Sequence, residues 1–481
     1  MEPIDQPIET LAPALRAGKL SATELTEAAL ERIRLRDGAF KSFVHLNDSA
    51  MAAAIEADRD LRGGHWRGQL HGVPIAVKDN CLTADMPTTA GSMALGVAFP
   101  LVDSAVAARL RAAGAILIGK TRTHEFAWGP VCPPTRNPWD LSRIPGGSSG
   151  GSGAAVAGGL CVAALGTDTG DSIRIPASLC GIVGLKPTYG RVSRKGIVPH
   201  SWSLDHAGPM TRTVSDAAAV MATLAGYDPS DPACSDVSVP DYTSALGQSI
   251  SGLRVGVCRN HFFGRNQAAV DNAIEVAIVD LAEAGASIVE FDLPNLDYGL
   301  GAILAIELAS STAYHDQALQ AGRTAHYSKD VRTMVEIGRF VTAVDYLKAE
   351  QLRHVLMTDL ARAFDTVDVI VGPTVPLTAW SPDADHIEIR GASESPLTAS
   401  WRLSYLYNLT GSPAISLPCG FDSDGLPIGM QIAAKAFDEI TVLRVAHAYE
   451  RRHPWCATRP SFAPNLAFDD DRTAQRLKPM A

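Results

Sequence analysis

The sequence predicts an α/β fold. Short apolar runs rich in β-branched residues, of strand length, follow segments with the three-to-four-residue recurrence of helices. This helix-then-strand alternation returns along much of the chain, which is the pattern of the α/β class. The composition fits: 46% of the 481 residues are hydrophobic and 20% charged, as in ordinary globular proteins, and a chain of this size can bury a large core.

Taken in order, Ser21-Ala22-Thr23-Glu24 reads as a capping box, with Ser21 as N-cap and Glu24 reaching back to it. Leu25, Ala29 and Ile33 then line one face of a helix that Asp37-Gly38 is expected to stop. A second helix is predicted over 48–62, closed by Gly63-Gly64. Residues 72–79 read as a buried strand that ends, unusually, on the charged pair Lys78-Asp79. A helix over 105–113, a stop at Gly114 and a strand over 115–118 follow. From 136 to about 211, Gly, Ser and Pro crowd in and periodicity fails. The runs 160–165 and 181–185 are too apolar for a linker, so a tightly folded loop-and-strand region is expected, where glycine lets backbone approach backbone. Loops on a rigid scaffold are where sites are built. Further strands are predicted over 253–257, 287–291, 367–371, 414–417 and 429–433. Helices are predicted over 268–284 and 436–452, and 300–365 reads as mainly helical. The Pro-rich tail from 457 is expected to be loosely held.

Several functions are disfavoured. With 42 Lys+Arg against 52 Asp+Glu the net charge is −10, which argues against nucleic-acid binding by bulk positive charge. The most apolar stretch, 154–166, falls short of the ~20 residues a membrane span needs. The acidic N-terminus has no signal-peptide pattern. The eight cysteines are scattered without a CxxC, so reduced thiols and a cytoplasmic location are expected. His124-Glu125 leads to Trp128 rather than a second histidine, so no zinc helix forms there and no metal is expected. The glycine run 146–153 lacks the Lys of a phosphate loop and the third Gly of a dinucleotide loop, so no cofactor is expected either. Asp205 and His206 are adjacent and cannot orient each other as in a Ser-His-Asp triad, and there is no GxSxG elbow; His206 is expected to be structural.

Three segments stand out: Lys78 at its strand end, Pro145-Gly146-Gly147-Ser148-Ser149-Gly150-Gly151-Ser152-Gly153, and Gly166-Thr167-Asp168-Thr169-Gly170-Asp171-Ser172-Ile173-Arg174. Together they resemble the signature region of the amidase signature family of serine hydrolases. The resemblance continues in Gly181-Ile182-Val183-Gly184-Leu185-Lys186-Pro187-Thr188, around Asp205-His206-Ala207-Gly208-Pro209, and in Asn408-Leu409-Thr410-Gly411-Ser412-Pro413, so it spans most of the chain. It implies a single compact domain over 1–481, with a mixed central β-sheet wrapped by α-helices. A signature core is expected over about 70–215 and a substrate-shaping region over about 216–400. The length prior of roughly 150 residues per domain, which suggests three domains, gives way to this expectation.

The resemblance implies a relay of Lys78, a Ser148 preceded by a cis peptide bond, and the nucleophile Ser172. It also implies an oxyanion hole from the backbone of Thr169, Gly170, Asp171 and Ser172, with Thr167, Asp168 and Arg174 in support. The chemistry suits these residue types. A serine hydroxyl needs a base, a lysine is a base only when burial strips its proton, and a second serine can both accept and donate. The expected reaction is hydrolysis of a carboxylic amide through an acyl-serine, with aryl amides, esters and carbamates passing through the same tetrahedral oxyanion. The expected partner is thus a small amide or carbamate, and homodimerisation is an expectation by analogy only.

Two departures qualify the resemblance. The stretch 126–137 is shorter than the family's usual loop. Asp171 replaces the usual Gly, where an Asp can keep a left-handed turn but brings a carboxyl beside the nucleophile. Asp171 is expected either to select substrates with a donor or cationic group or to weaken catalysis. The competing reading is the amidase subunit of a tRNA-dependent amidotransferase complex; a third is a binding protein that kept the fold. Trp128, Trp202, Tyr314, Trp380 and Tyr407 are candidate cleft aromatics, each weighed against an ordinary core or surface role.

Overall fold

The computed structural model describes residues 2–95 and 100–461, so most of the tail expected to be loosely held lies outside the described residues. Among the described residues, thirteen strands follow in chain order. They are β1 (Phe43–Leu46), β2 (Pro74–Lys78), β3 (Ile116–Thr121), β4 (Ala163–Asp168), β5 (Val183–Lys186), β6 (His206–Thr211), β7 (Arg254–Val257), β8 (Ser287–Glu290), β9 (Val369–Pro373), β10 (Ile387–Ile389), β11 (Ala392–Glu394), β12 (Ala414–Phe421) and β13 (Pro427–Ala433). Eleven form one sheet in the order β1-β3-β2-β4-β6-β5-β12-β13-β9-β7-β8, and β10 and β11 pair separately. The sheet is mixed. β2 runs parallel to β3 and β4 and β7 parallel to β8 and β9, while the other neighbours are antiparallel. Helices cover it, and its central strands are buried along their whole length. That explains why they read as continuous apolar runs rather than alternating ones.

The capping box at Ser21 forms as expected: Ser21 Oγ accepts from Glu24 N, and the Glu24 carboxylate accepts from Ser21 N. The helix runs past Asp37-Gly38 to Phe40, and Lys41 closes it in the left-handed conformation. The stop falls later than predicted because the Asp37 carboxylate accepts from the backbone N–H groups of Ser42 and Phe43 beyond the helix end, tying down the next segment rather than ending the helix at once.

The region 136–211 holds more helix than expected. Gly150–Ala157 and Arg174–Cys180 are helical. Four of the first helix's eight residues are Gly or Ser, poor helix formers on their own. They are used because a side chain would not fit: a Cβ on Gly151 would collide with the backbone at Arg122 and Ser42. Tertiary packing here overrides propensity. Two further helices, Ile8–Arg16 and Val214–Leu224, carry buried apolar faces. No helix among the described residues is long and apolar enough to cross a membrane.

Candidate active site

β2 and β4 are parallel neighbours, so their carboxyl ends open on the same side of the sheet, where ligands bind in open α/β sheets. Lys78 is the last residue of β2 and is fully buried, and Thr167 lies near the end of β4. Lys78 Nζ donates to Ser148 Oγ at 2.8 Å and contacts Thr167 Oγ1 at 2.8 Å. Thr167 Oγ1 also accepts from Asn80 Nδ2 at 3.0 Å. Burial pulls the lysine down to about 7, against the opposing pull of groups such as Cys81 and Asp168. Near neutral pH it therefore exists in large part as a free amine.

The neighbouring Asp79 does not recharge the lysine. Its carboxylate turns away, accepting from Thr89 N and lying 3.7 Å from Lys120 Nζ. Burial raises its proton affinity, countered by Lys120 and by the Thr89 hydrogen bonds.

The Gly147–Ser148 peptide is cis. Gly147 has no room for a side chain, because a Cβ would run into the Val131 backbone. Ser148 O accepts from His124 N at 3.1 Å, and Ser149 N donates to Ser172 O at 3.2 Å, joining the glycine run to the second serine loop. Ser149 Oγ donates to Thr167 O at 3.0 Å, and Ser152 Oγ donates to Leu165 O at 2.9 Å. The serines of the glycine run thus fasten the helix Gly150–Ala157 to β4.

The loop from Asp168 to Arg174 is held by a buried ion pair. Arg174 Nε meets Asp168 Oδ2 at 3.1 Å, and neither side chain reaches solvent. Arg174 also donates to Gly170 O at 3.2 Å and Ser404 O at 2.9 Å, while Asn408 Nδ2 donates to Asp168 Oδ1 at 2.7 Å. Burial would raise Asp168, but Arg174, Lys186 and Asn408 outweigh it and bring the carboxyl to about 2. A buried pair satisfied on all sides fixes geometry more surely than it adds stability.

Within this loop, none of the backbone N–H groups of Gly170, Asp171 and Ser172 meets an intramolecular acceptor among the described residues. They border a small cleft with Ser172 on its wall. Trp128, Gly129 and Pro130 of the shortened stretch form one side, and His200, Glu307, Met334, Leu397 and Trp401 form others. The structure therefore gathers Lys78, Ser148 and Thr167 into one hydrogen-bonded group beside the loop that carries Ser172. Among the described residues no hydrogen bond yet closes from Ser148 to the Ser172 hydroxyl. An amine, a hydroxyl hydrogen-bonded to it, a serine at a cleft and unspent N–H donors are groups that can together move a proton and hold an oxyanion.

Asp171 is buried in this loop. It is not among the residues with positive φ, so the turn needs no left-handed residue at this position. Its carboxyl turns to Ser404, whose Oγ donates to it at 3.3 Å. Burial first, and the Asp168 carboxylate second, push its proton affinity well above the usual carboxylate range, against the pull of Arg174. Burial therefore favours the protonated form of this carboxyl beside the nucleophile.

Of the candidate aromatics, only Trp128 lines this cleft among the described residues. Trp202 is 62% exposed and Tyr314 43%; Trp380 packs in a separate apolar cluster; Tyr407 lies in the core under Arg174. Sequence reasoning missed Trp401, His200 and Glu307. Asp205 proves to be a brace: it accepts from Thr169 Oγ1 at 2.7 Å and from the backbone of His200 and Ser201, tying the serine loop to one cleft wall. His206 spends Nδ1 on the Leu204 and Asp168 carbonyls.

The Amidase family model matches residues 24–443. An amidase of Pseudomonas putida is 43% identical over 453 residues, covering 94% of this chain and 96% of that protein. A glutamyl-tRNA(Gln) amidotransferase subunit of Chloroflexus aggregans is 42% identical over 480 residues, covering 94% of this chain and 97% of that protein. The solved structure of a peptide amidase in complex with the competitive inhibitor chymostatin superposes with a TM-score of 0.84 at 34% identity, covering 95% of this chain and 99% of that one.

Proposed function

The chain belongs to the amidase signature family, and from that premise we propose that it hydrolyses carboxylic amides by way of an acyl-Ser172 intermediate. Its relatives make it a hydrolase acting on carbon–nitrogen bonds. In this reading Lys78 is the base, Ser148 passes the proton from Ser172 to Lys78, and the N–H groups of Thr169, Gly170, Asp171 and Ser172 receive the developing oxyanion. Thr167 orients Lys78, while Asp168 and Arg174 brace the loop. Residues 70–215 carry the chemistry, and 216–400 supply Glu307, Met334 and Leu397 to the substrate cleft of the same domain. The observation that carries this reading is the 2.8 Å contact between Ser148 Oγ and a buried Lys78 held near 7. Aryl amides, esters and carbamates are secondary substrates on the same chemistry.

In the attack, Ser172 Oγ adds to the amide carbon as its proton moves through Ser148 to the Lys78 amine. The tetrahedral intermediate collapses when Lys78, through Ser148, returns a proton to the leaving nitrogen. Water then repeats the sequence on the acyl-serine and releases the carboxylate. Aimed donors of the oxyanion-hole kind contribute about 3–4 kcal/mol each. The reading is tested with purified protein alone on a panel of aryl amides, short aliphatic amides and carbamates. Turnover of at least one amide is expected, and turnover of carbamates alone would contradict it.

A second reading has support in the 42% identity to an amidotransferase subunit: the chain works within a complex. A protein inactive alone but activated by a stoichiometric partner would establish it.

The pH profile follows from two opposed protonations. The active form has Lys78 neutral, so kcat/KM rises as pH increases through about 7. Burial also favours the protonated form of Asp171, so kcat/KM is expected to fall again at the higher pH where that raised carboxyl ionises beside the oxyanion. Asp171→Asn is expected to keep the rise and abolish the fall. A falling limb unchanged in Asp171→Asn would show that Asp171 is not the group responsible.

A further inference from the structure

Two buried polar atoms of cleft-lining residues lack a partner among the described residues. Trp401 is 5% exposed, and its indole Nε1–H meets no acceptor there. His200 is 3% exposed; its Nε2 lies 2.6 Å from Glu307 Oε1, and its Nδ1 is likewise unpartnered. Buried polar atoms in native proteins nearly always find a partner, and an orphaned N–H costs about 1–3 kcal/mol. Both side chains line the cleft that holds Ser172.

The position of Trp401 is the more informative. Its Nε1 sits against Gly170, so closely that a Cβ there would collide with it, and Gly170 belongs to the loop bearing Ser172. The loop is glycine at 170 to admit this indole, since Gly170 is not among the positive-φ glycines. Trp401 is held in place through its own carbonyl, which accepts from the Ser404 hydroxyl that also reaches Asp171. Trp401 therefore holds an unspent donor against the loop that carries Ser172. Among the described residues, the cleft wall includes two carboxyl groups, Asp171 and Glu307, and no Lys or Arg.

We propose that Trp401 is a specificity-determining residue whose Nε1–H binds a second, uncharged acceptor oxygen of the substrate close to the scissile carbonyl. The preferred substrates are then neutral amides bearing an ether, carbonyl or acylamino oxygen on the acyl group, and acyl groups carrying a carboxylate are rejected. The inference deepens the amidase reading and rests on it. Its physical basis is asymmetry: an analogue without the oxygen leaves the buried N–H unpaired, so the site discriminates by refusing it.

The test uses three anilides of matched size: methoxyacetanilide, butyranilide, in which CH2 replaces the ether oxygen, and the N-phenylmalonamate anion. Binding is measured by calorimetry on Ser172→Ala, which needs no turnover, and hydrolysis on the unaltered protein. Methoxyacetanilide is expected to bind about tenfold more tightly than butyranilide, with the anion weakest. In a Ser172→Ala/Trp401→Phe protein that preference is expected to fall to about one. Equal binding of the two neutral anilides to Ser172→Ala would overturn the proposal without any variant at Trp401. A preference surviving Trp401→Phe, or tightest binding of the anion, would also overturn it. So would a fall in kcat of the same size for both anilides in Trp401→Phe, because that places the N–H on the oxyanion instead. Retained preference in binding with no hydrolysis of any amide would sink the amidase reading while leaving this one standing.

Discussion

Ser172→Ala is expected to lower kcat by at least about 10⁴-fold, the scale seen when a serine nucleophile is removed from a relay. The change deletes one hydroxyl from a loop fixed by other groups: the Asp168–Arg174 pair, the Asn408 amide and the Ser149–Ser172 backbone bond all remain. Thermal stability should therefore stay close to that of the unaltered protein, and substrate affinity should survive. The measurement is single-turnover hydrolysis of whichever amide is processed, paired with a thermal melt. A loss of less than about tenfold with the melt unchanged would mean that another nucleophile carries the reaction.

Lys78→Met is expected to cost about 10²–10⁴ in kcat/KM, the usual share of a general base. Methionine keeps most of the buried volume while removing the amine that meets Ser148 and Thr167. The pH dependence separates a lost base from a disturbed fold. The unaltered protein gains activity as pH rises through about 7, because the lysine must lose its proton to act. In Lys78→Met the residual activity should show no such rise. Lys78→Arg should be about as inactive, since a guanidinium stays protonated. A rise near 7 that persists in both variants would assign the titration to another group.

The parts of this molecule that were legible in the sequence are those with local causes. The capped helix from Ser21, the strand ending at Lys78 and the strand–helix–strand run from 254 onward announce themselves by period and punctuation. The proposed roles of Lys78, Ser148 and Ser172 come from the family resemblance, and the place of Lys78 at the end of an apolar strand was legible as well. The helix Gly150–Ala157 was not, because its glycines serve close approach to Arg122 and Ser42, residues distant in sequence. The helix Ile8–Arg16 starts at Pro7 without a side-chain cap and contains Pro13, so its usual start signal is missing. Trp401 and Glu307 arrive at the cleft from segments 229 and 135 positions after Ser172, and nothing local marks either as facing it. Asp171 shows the limit most plainly. From the sequence it is a charge at the reacting centre; in the fold, burial and Asp168 raise its proton affinity and its carboxyl accepts from Ser404.

The most direct test is intact-protein mass spectrometry after treatment with a fluorophosphonate, on the unaltered protein and on Ser172→Ala. The probe reports an activated serine whatever the natural substrate is. One adduct on the unaltered protein and none on Ser172→Ala is the predicted result, because in the proposed relay the Lys78 amine activates that one hydroxyl through Ser148. An adduct of equal yield on both proteins would contradict the account.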